Sequence, residues 1–149
     1  MGKLLLSQNP PATNSLQIHD AISSQAASSG ISASLLLSVV MQESSGSITA
    51  GGTTDASGGA SGGMMQCNGC PGVSSLSSAT SDQVTAMISG GVAHFQGNMA
   101  SAGGDDWTAL RLYNSGSLQG DNLSNPSYSP ASTANYVEEI ANRMHGWIH

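Results

Sequence analysis

The stretch Leu35-Leu36-Leu37-Ser38-Val39-Val40-Met41 constrains this chain more than any other. Leu35, Leu36, Val39 and Val40 recur at i, i+1, i+4 and i+5, and Leu37 and Met41 widen the stripe. A pattern that is apolar nearly all round marks a helix buried on most sides, against which the other elements must pack. Such a helix needs a domain large enough to enclose it. A chain of 149 residues is one domain by length and buries roughly 68–70% of its unfolded surface, which is enough. Ser32 or Ser34 supplies the N-terminal cap. Glu43 lies four residues after Val39 and three after Val40, on or beside the buried face at the helix C-terminus. The negative end of the helix dipole and the apolar neighbours both disfavour its ionised form, so a raised pKa is expected. The competing reading is a side chain rotated into solvent at a frayed end.

Charge excludes several function classes. Charged residues make up 8% of the chain, against about 25% in ordinary domains. With three Lys and Arg in all (Lys3, Arg111 and Arg143) the chain cannot line a phosphate-tracking groove, so no nucleic acid partner is expected. The net charge of −6 also works against anionic membranes and polymers. No apolar run approaches the roughly 20 residues that span a bilayer, and Lys3-Leu4-Leu5-Leu6 is too short for a signal h-region.

Two cysteines occur, in Cys67-Asn68-Gly69-Cys70. Zinc needs two further ligands at matching spacing, and no second pair exists. A redox pair of the thioredoxin type would follow a strand and open a helix, whereas this one sits between glycine-rich loops. A short structural disulfide is the preferred reading, because Asn68-Gly69 turns readily. It implies an oxidising compartment and hence a secreted protein.

The remaining segments read as helices and loops. Residues 1–13, with Pro10-Pro11, are expected to be an extended lead-in to a domain over 14–149. Thr13 or Asn14 would cap a helix to about Ser28 with Leu16, Ile18, Ile22 and Ala26 on its face, ended by Gly30. Residues 46–63 hold seven glycines and read as a long loop, mobile without a ligand, with room for a small hairpin over 46–66. Met64 and Met65 return the chain to the core, and 67–79 is loop again. Thr80 or Ser81 caps a helix whose stripe is Val84, Met87, Ile88, Phe95 and Met99, with a break or close packing expected at Gly90-Gly91. Asp105 or Asp106 caps the next, which ends at Asn114-Ser115-Gly116. Ser132 or Thr133 caps the last, with Tyr136, Val137, Ile140, Met144 and Trp147 on its face. Trp107 and Trp147 are assigned to the core, with sugar stacking as the other use of an indole. His145 and His149 are four apart, but nothing joins them as metal ligands, and no metal or cofactor is expected. The class is mainly α.

Four segments together resemble a known pattern: Met41-Gln42-Glu43-Ser44, Gly63-Met64-Met65-Gln66, Ala109-Leu110-Arg111-Leu112-Tyr113-Asn114-Ser115-Gly116, and Asn135-Tyr136-Val137-Glu138-Glu139-Ile140. Their order resembles the lytic-transglycosylase (SLT) and goose-type-lysozyme family of the lysozyme superfamily. That family has a Glu-Ser pair ending a core helix, a Gly-Leu-Met-Gln turn, a Tyr-Asn-x-Gly segment and a late Tyr-Val helix. The ending Ile140-Ala141-Asn142-Arg143-x-x-Gly146-Trp147 is most similar to small secreted fungal proteins with such a domain.

The resemblance implies a lysozyme-like α+β fold and a glycosidase acting on β-1,4-linked cell-wall polysaccharide as a monomer. It implies that Glu43 is the general acid. Ser44, Met65, Gln66, Tyr113, Asn114 and Tyr136 would then be substrate-binding residues. Protonating a sugar leaving group needs a carboxylic acid still protonated near working pH, which a desolvated Glu provides. Goose-type enzymes add a loop aspartate that holds the attacking water, and Asp55, twelve residues after Glu43, matches it in kind. Asp55 could equally be an ordinary turn residue in Thr54-Asp55-Ala56-Ser57. Peptidoglycan, the first substrate implied, is anionic; the net charge of −6 leaves neutral β-mannan or chitin, and glycan binding without cleavage, as alternatives.

Overall fold

The computed structural model describes residues 12–50, 53–54, 60–70, 72, 79–125 and 133–147. Among them are five helices and one three-stranded sheet, in two units, Met1–Val92 and Ala93–His149. The mainly helical architecture expected from the sequence is observed.

The first unit opens with α1 (Ala12–Ser29), which packs on α2 (Ala33–Ser44). Thr13 and Asn14 lie inside α1 instead of capping it, and residues 1–11 of the expected lead-in lie outside the described residues. A helix can start directly after Pro10-Pro11, because its first N–H groups have no intrahelical partner to lose. The buried positions of α1 are Asn14, Ser15, Ile18, Ala21 and Ile22, spaced i, i+1, i+4, i+7 and i+8. Leu16, expected on this face, is 66% exposed. It stands two residues from Ile18, about 200° round the helix, and so points the other way. Gly30, at φ +76°, ends α1, its N–H donating to the Ala26 carbonyl.

Helix α2 is the centre of this unit. Every residue from Leu35 to Met41 is buried. Ser32 caps it, its hydroxyl accepting from the Leu35 N–H at 3.2 Å. Next come β1 (Thr53–Thr54), β2 (Ala60–Gly62) and β3 (Cys67–Asn68), antiparallel in the order β1-β2-β3. Thr53 pairs with Ser61, Thr54 with Ala60, Ser61 with Asn68 and Gly62 with Cys67. The hairpin expected in 46–66 is therefore present, and the cysteine turn adds a third strand. Residues 51–52 and 55–59 of the glycine-rich segment, Asp55 among them, lie outside the described residues.

Helix α3 (Ser81–Ser101) starts on a reciprocal cap. The Gln83 N–H donates to Thr80 Oγ1 at 3.3 Å, and the Thr80 N–H donates to Gln83 Oε1 at 2.9 Å. The helix runs unbroken through Gly90-Gly91. Close approach is the reason for Gly91: a Cβ there would come within 2.5 Å of Met65 Cβ and 2.8 Å of Met65 Cγ.

In the second unit, α4 (Asp106–Ser115) packs on α5 (Tyr136–Met144). Asp105 caps α4, its Oδ2 accepting from the Thr108 N–H at 2.7 Å. Hydrogen bonds from Thr108, its side chain first and its backbone N–H second, hold the Asp105 carboxyl below the usual carboxylate range. Helix α5 begins at Tyr136 without a side-chain cap, later than the Ser132 or Thr133 cap expected. Thr133 is engaged elsewhere: its carbonyl accepts from Arg111 and its N–H donates to Asn114. Tyr136, Val137 and Ile140 are buried as expected. Trp147 is not on that face, because α5 stops at Met144 and the indole is 61% exposed. Trp107, at 39%, is also outside the core.

Candidate functional site

Glu43 stands in the last turn of α2, half-buried, after seven consecutive buried residues of which none is charged. The next two residues shape the exit. Ser44 Oγ donates to the Val40 carbonyl at 3.0 Å, tying the hydroxyl to its own helix. Ser45 takes a left-handed conformation at φ 52°, its N–H donating to the Met41 carbonyl. Gly46 is left-handed too, at φ 74°. The helix thus stops abruptly one residue beyond Ser44, and Glu43 is held on a closed final turn.

Gly63-Met64-Met65-Gln66 is a tight turn of the same unit. The Gln66 N–H donates to the Gly63 carbonyl at 3.2 Å, and Gln66 Nε2 donates to that same carbonyl at 2.8 Å. Gln66 accepts a left-handed backbone, φ 47°, to do so. Met64 and Met65 are wholly buried. Met65 therefore supports the turn from beneath, and Gln66 is its half-buried polar member. The turn feeds β3, where Cys67 and Cys70 form a disulfide with Cα atoms 5.3 Å apart. The Cys70 N–H also donates to the Cys67 carbonyl at 3.1 Å. The bond fastens the segment that follows Gln66.

Tyr113 and Asn114 occupy the last turn of α4 in the second unit. The Tyr113 ring meets His94 edge-on at 5.2 Å and Phe95 at 6.0 Å. Burial lowers the His94 pKa, favouring the neutral imidazole. Asn114 Oδ1 accepts from the Thr133 N–H at 2.9 Å and from Arg111 Nη2. Arg111 is fully buried, and its Nη1 donates to the carbonyls of Leu123 (3.1 Å), Thr133 (3.0 Å) and Ala134 (3.3 Å). Tyr136, at the first position of α5, is buried in the core. His145 is exposed at the end of α5, and His149 lies outside the described residues.

A family model, the transglycosylase SLT domain, matches residues 20–134. The chain belongs to the SLT family. This is a family of glycan-cleaving transglycosylases with a lysozyme-like fold, so its chemistry is the breaking of glycosidic bonds in polysaccharide. No curated protein and no solved structure gives a significant match. Among the described residues, no helix is long and apolar enough to cross a membrane.

Sequence reasoning missed the role of Arg111 in this SLT domain, treating it as one of three scattered cations. A signal was present. Arg111 directly follows the apolar pair Ala109-Leu110, both buried, and in a chain so poor in charge an arginine beside a core stripe calls for several acceptors. His94 was missed as well; it is one residue from the core position Phe95 and meets Tyr113 from the preceding helix.

Proposed function

We propose that this SLT domain, taken to span residues 14–149, cleaves β-1,4 glycosidic bonds of a cell-wall polysaccharide by hydrolysis. Glu43 is its general acid, Asp55 orients the attacking water, and peptidoglycan is the first substrate. The observation that supports this most is the setting of Glu43: half-buried, on the closed last turn of a helix buried from Leu35 to Met41, in a chain of a glycan-cleaving family. General acid catalysis needs a carboxyl that carries its proton at the working pH. Glu43 gives that proton to the glycosidic oxygen as the C–O bond breaks. Water adds at the anomeric carbon from the other face and passes its proton to Asp55. Inverting enzymes place such a pair of carboxyls about 6.5–9.5 Å apart to admit the water. Ser44, Met65, Gln66, Tyr113, Asn114 and Tyr136 are assigned to substrate binding by the family pattern. The protein acts as a secreted monomer.

The net charge of −6 favours a second reading, in which the polymer is neutral β-mannan or chitin. One experiment addresses both. The protein is incubated with peptidoglycan, chitin, chitosan and mannan, and the soluble products are weighed by mass spectrometry. Hydrolysis adds one water per bond broken and leaves a reducing end. Transglycosylation adds none and leaves an anhydro sugar, and Asp55→Asn would then retain activity. Binding without products from any polymer would make the domain a glycan-binding effector and end the catalytic reading.

A further inference from the structure

Gln66 immediately precedes the disulfide, and its backbone, at φ 47°, is one that a residue with a Cβ adopts only at a cost. Its N–H and its Nε2 both donate to a single acceptor, the Gly63 carbonyl. Whatever fixes Gly63 therefore fixes Gln66. Two stretches of backbone lie close to the Gly62-Gly63 pair, which is itself buried. One is β3, where Cys67 pairs with Gly62. The other is the chain that leaves the disulfide. A Cβ on Gly62 would come within 3.0 Å of the Cys70 carbonyl oxygen, and a Cβ on Gly72 would come within 2.9 Å of the Gly63 nitrogen. Backbone meets backbone there, and only glycine fits at either position. All of these residues belong to the first unit.

The disulfide decides whether that second stretch stays in place. Cys67 is buried in β3, and Cys70 is half-buried. Between them the chain reverses through Gly69, left-handed at φ 72°, and the Cys70 N–H donates to the Cys67 carbonyl. One hydrogen bond across a glycine turn is a weak hold, because the glycine has many other conformations open to it. The sulfur–sulfur bond makes the reversal permanent. Disulfide stabilisation grows with the length of the loop closed, so a bond between residues three apart adds little to the unit as a whole. Its effect is local, and the local feature it secures is the contact of Cys70 and Gly72 with Gly62 and Gly63.

We infer that the Cys67–Cys70 disulfide is a positioning device for Gln66. It keeps the backbone at Cys70 and Gly72 pressed on Gly62-Gly63, and so fixes the carbonyl that holds Gln66 in its left-handed turn. Cys67, Cys70 and Gly72 are positioning residues for polysaccharide binding, acting through Gln66. The use of the clamp rests on the reading of Gln66 as a substrate-binding residue; the clamp itself does not.

The test is amide hydrogen exchange of the full chain, followed by NMR, with and without dithiothreitol and in two variants, Cys67→Ala/Cys70→Ala and Gly72→Ala. Gly72→Ala keeps both cysteines but drives a Cβ into the Gly63 backbone, so it should act as the loss of the disulfide does. In each case the Gln66 amide should exchange roughly tenfold faster, the worth of about one hydrogen bond, while Val39 and Val40 of α2 keep their protection. An unchanged Gln66 rate in the reduced protein, or a matching rise in α2, would overturn the inference. Kinetics on a polymer that the wild-type protein degrades give the second readout. KM should rise severalfold in both variants with kcat held, and in Gln66→Ala by at least as much. A raised KM in Gln66→Ala with an unchanged KM in the cysteine variant would overturn the positioning role. An unchanged KM in Gln66→Ala would instead remove Gln66 from substrate binding, and the exchange rates alone would then decide the clamp.

Discussion

Helices α2 and α4 end in the same way and do different things with the result. In each, a serine hydroxyl donates to the carbonyl four residues back, Ser44 to Val40 and Ser115 to Arg111. In each, a left-handed residue then ends the helix, Ser45 at φ 52° and Gly116 at φ 71°. The residue before the serine is Glu43 in one and Asn114 in the other. Asn114 sits beside a buried arginine and binds both it and the Thr133 backbone, so its carbonyl oxygen fastens the chain ahead of α5. Glu43 follows seven buried uncharged residues and is itself half-buried. A shared terminal device thus fixes the chain at one helix end and holds an acid at the other. Membership of a family motif does not by itself say which of the two a polar residue does.

The comparison breaks most visibly at Arg111. Arg111→Met keeps bulk but removes the donor that the Leu123, Thr133 and Ala134 carbonyls share. Unsatisfied buried acceptors cost about 1–3 kcal/mol each. A loss of about 3 kcal/mol or more is expected, and for a chain this size that lowers Tm by roughly 6–12 °C. Calorimetry measures it; an unchanged Tm would show that the arginine is not the anchor.

Asn114→Ala should destabilise by less, about 1–3 kcal/mol, because the Arg111 contacts to carbonyls remain. Urea midpoints of the two single variants and their double give the coupling. Strong non-additivity is expected, since the two residues form one network.

Gly91→Ala tests the first region. Alanine is the better helix former by about 1 kcal/mol, yet its Cβ overlaps Met65, and overpacking costs about 1–3 kcal/mol. The net should be a small loss, with shifted NMR signals in the Gly63–Gln66 turn. A clear gain in stability would mean that Met65 yields freely.

The smallest effect is acid dependence. His94 has a lowered pKa, so the unfolded chain takes up its proton first. Its contribution is full above about pH 6.5 and is lost as pH falls through the folded value. Asp105 is lowered too, so its contribution is full above about pH 4 and is lost below that. Both have the same sign: acid weakens the second unit. Denaturant midpoints between pH 8 and 3 should fall in two stages, and His94→Gln should flatten the first.

Legibility in the sequence followed the physics. Helix α2 was readable because an all-round apolar stripe has few other outcomes, and Ser32, Thr80 and Asp105 were readable because caps are local chemistry. The cysteine pair, too, depends only on a short turn. Reading failed where distant residues decide. Close packing at Gly90-Gly91 was one of the outcomes expected, but its partner Met65 was not readable, and the late start of α5 depends on Arg111 and Asn114 holding Thr133. Trp147 was placed on a helical face that the Gly146 stop had already ended. Of the candidate site, the order of motifs and the buried positions of Met65 and Tyr136 were plain, whereas the anchoring of Asn114 by Arg111 and Thr133 was not.

The central claim is that Glu43 gives the proton, and its most direct test is the cleavage rate of Glu43→Gln on a polymer that the wild-type protein degrades. Glutamine keeps the shape and hydrogen bonding of the side chain but has no proton to transfer. The rate should fall by about 10²–10⁴-fold, the usual contribution of general acid catalysis, while Tm holds or rises slightly. A folded Glu43→Gln protein that cleaves at the wild-type rate would contradict the claim and leave α2 as scaffold alone.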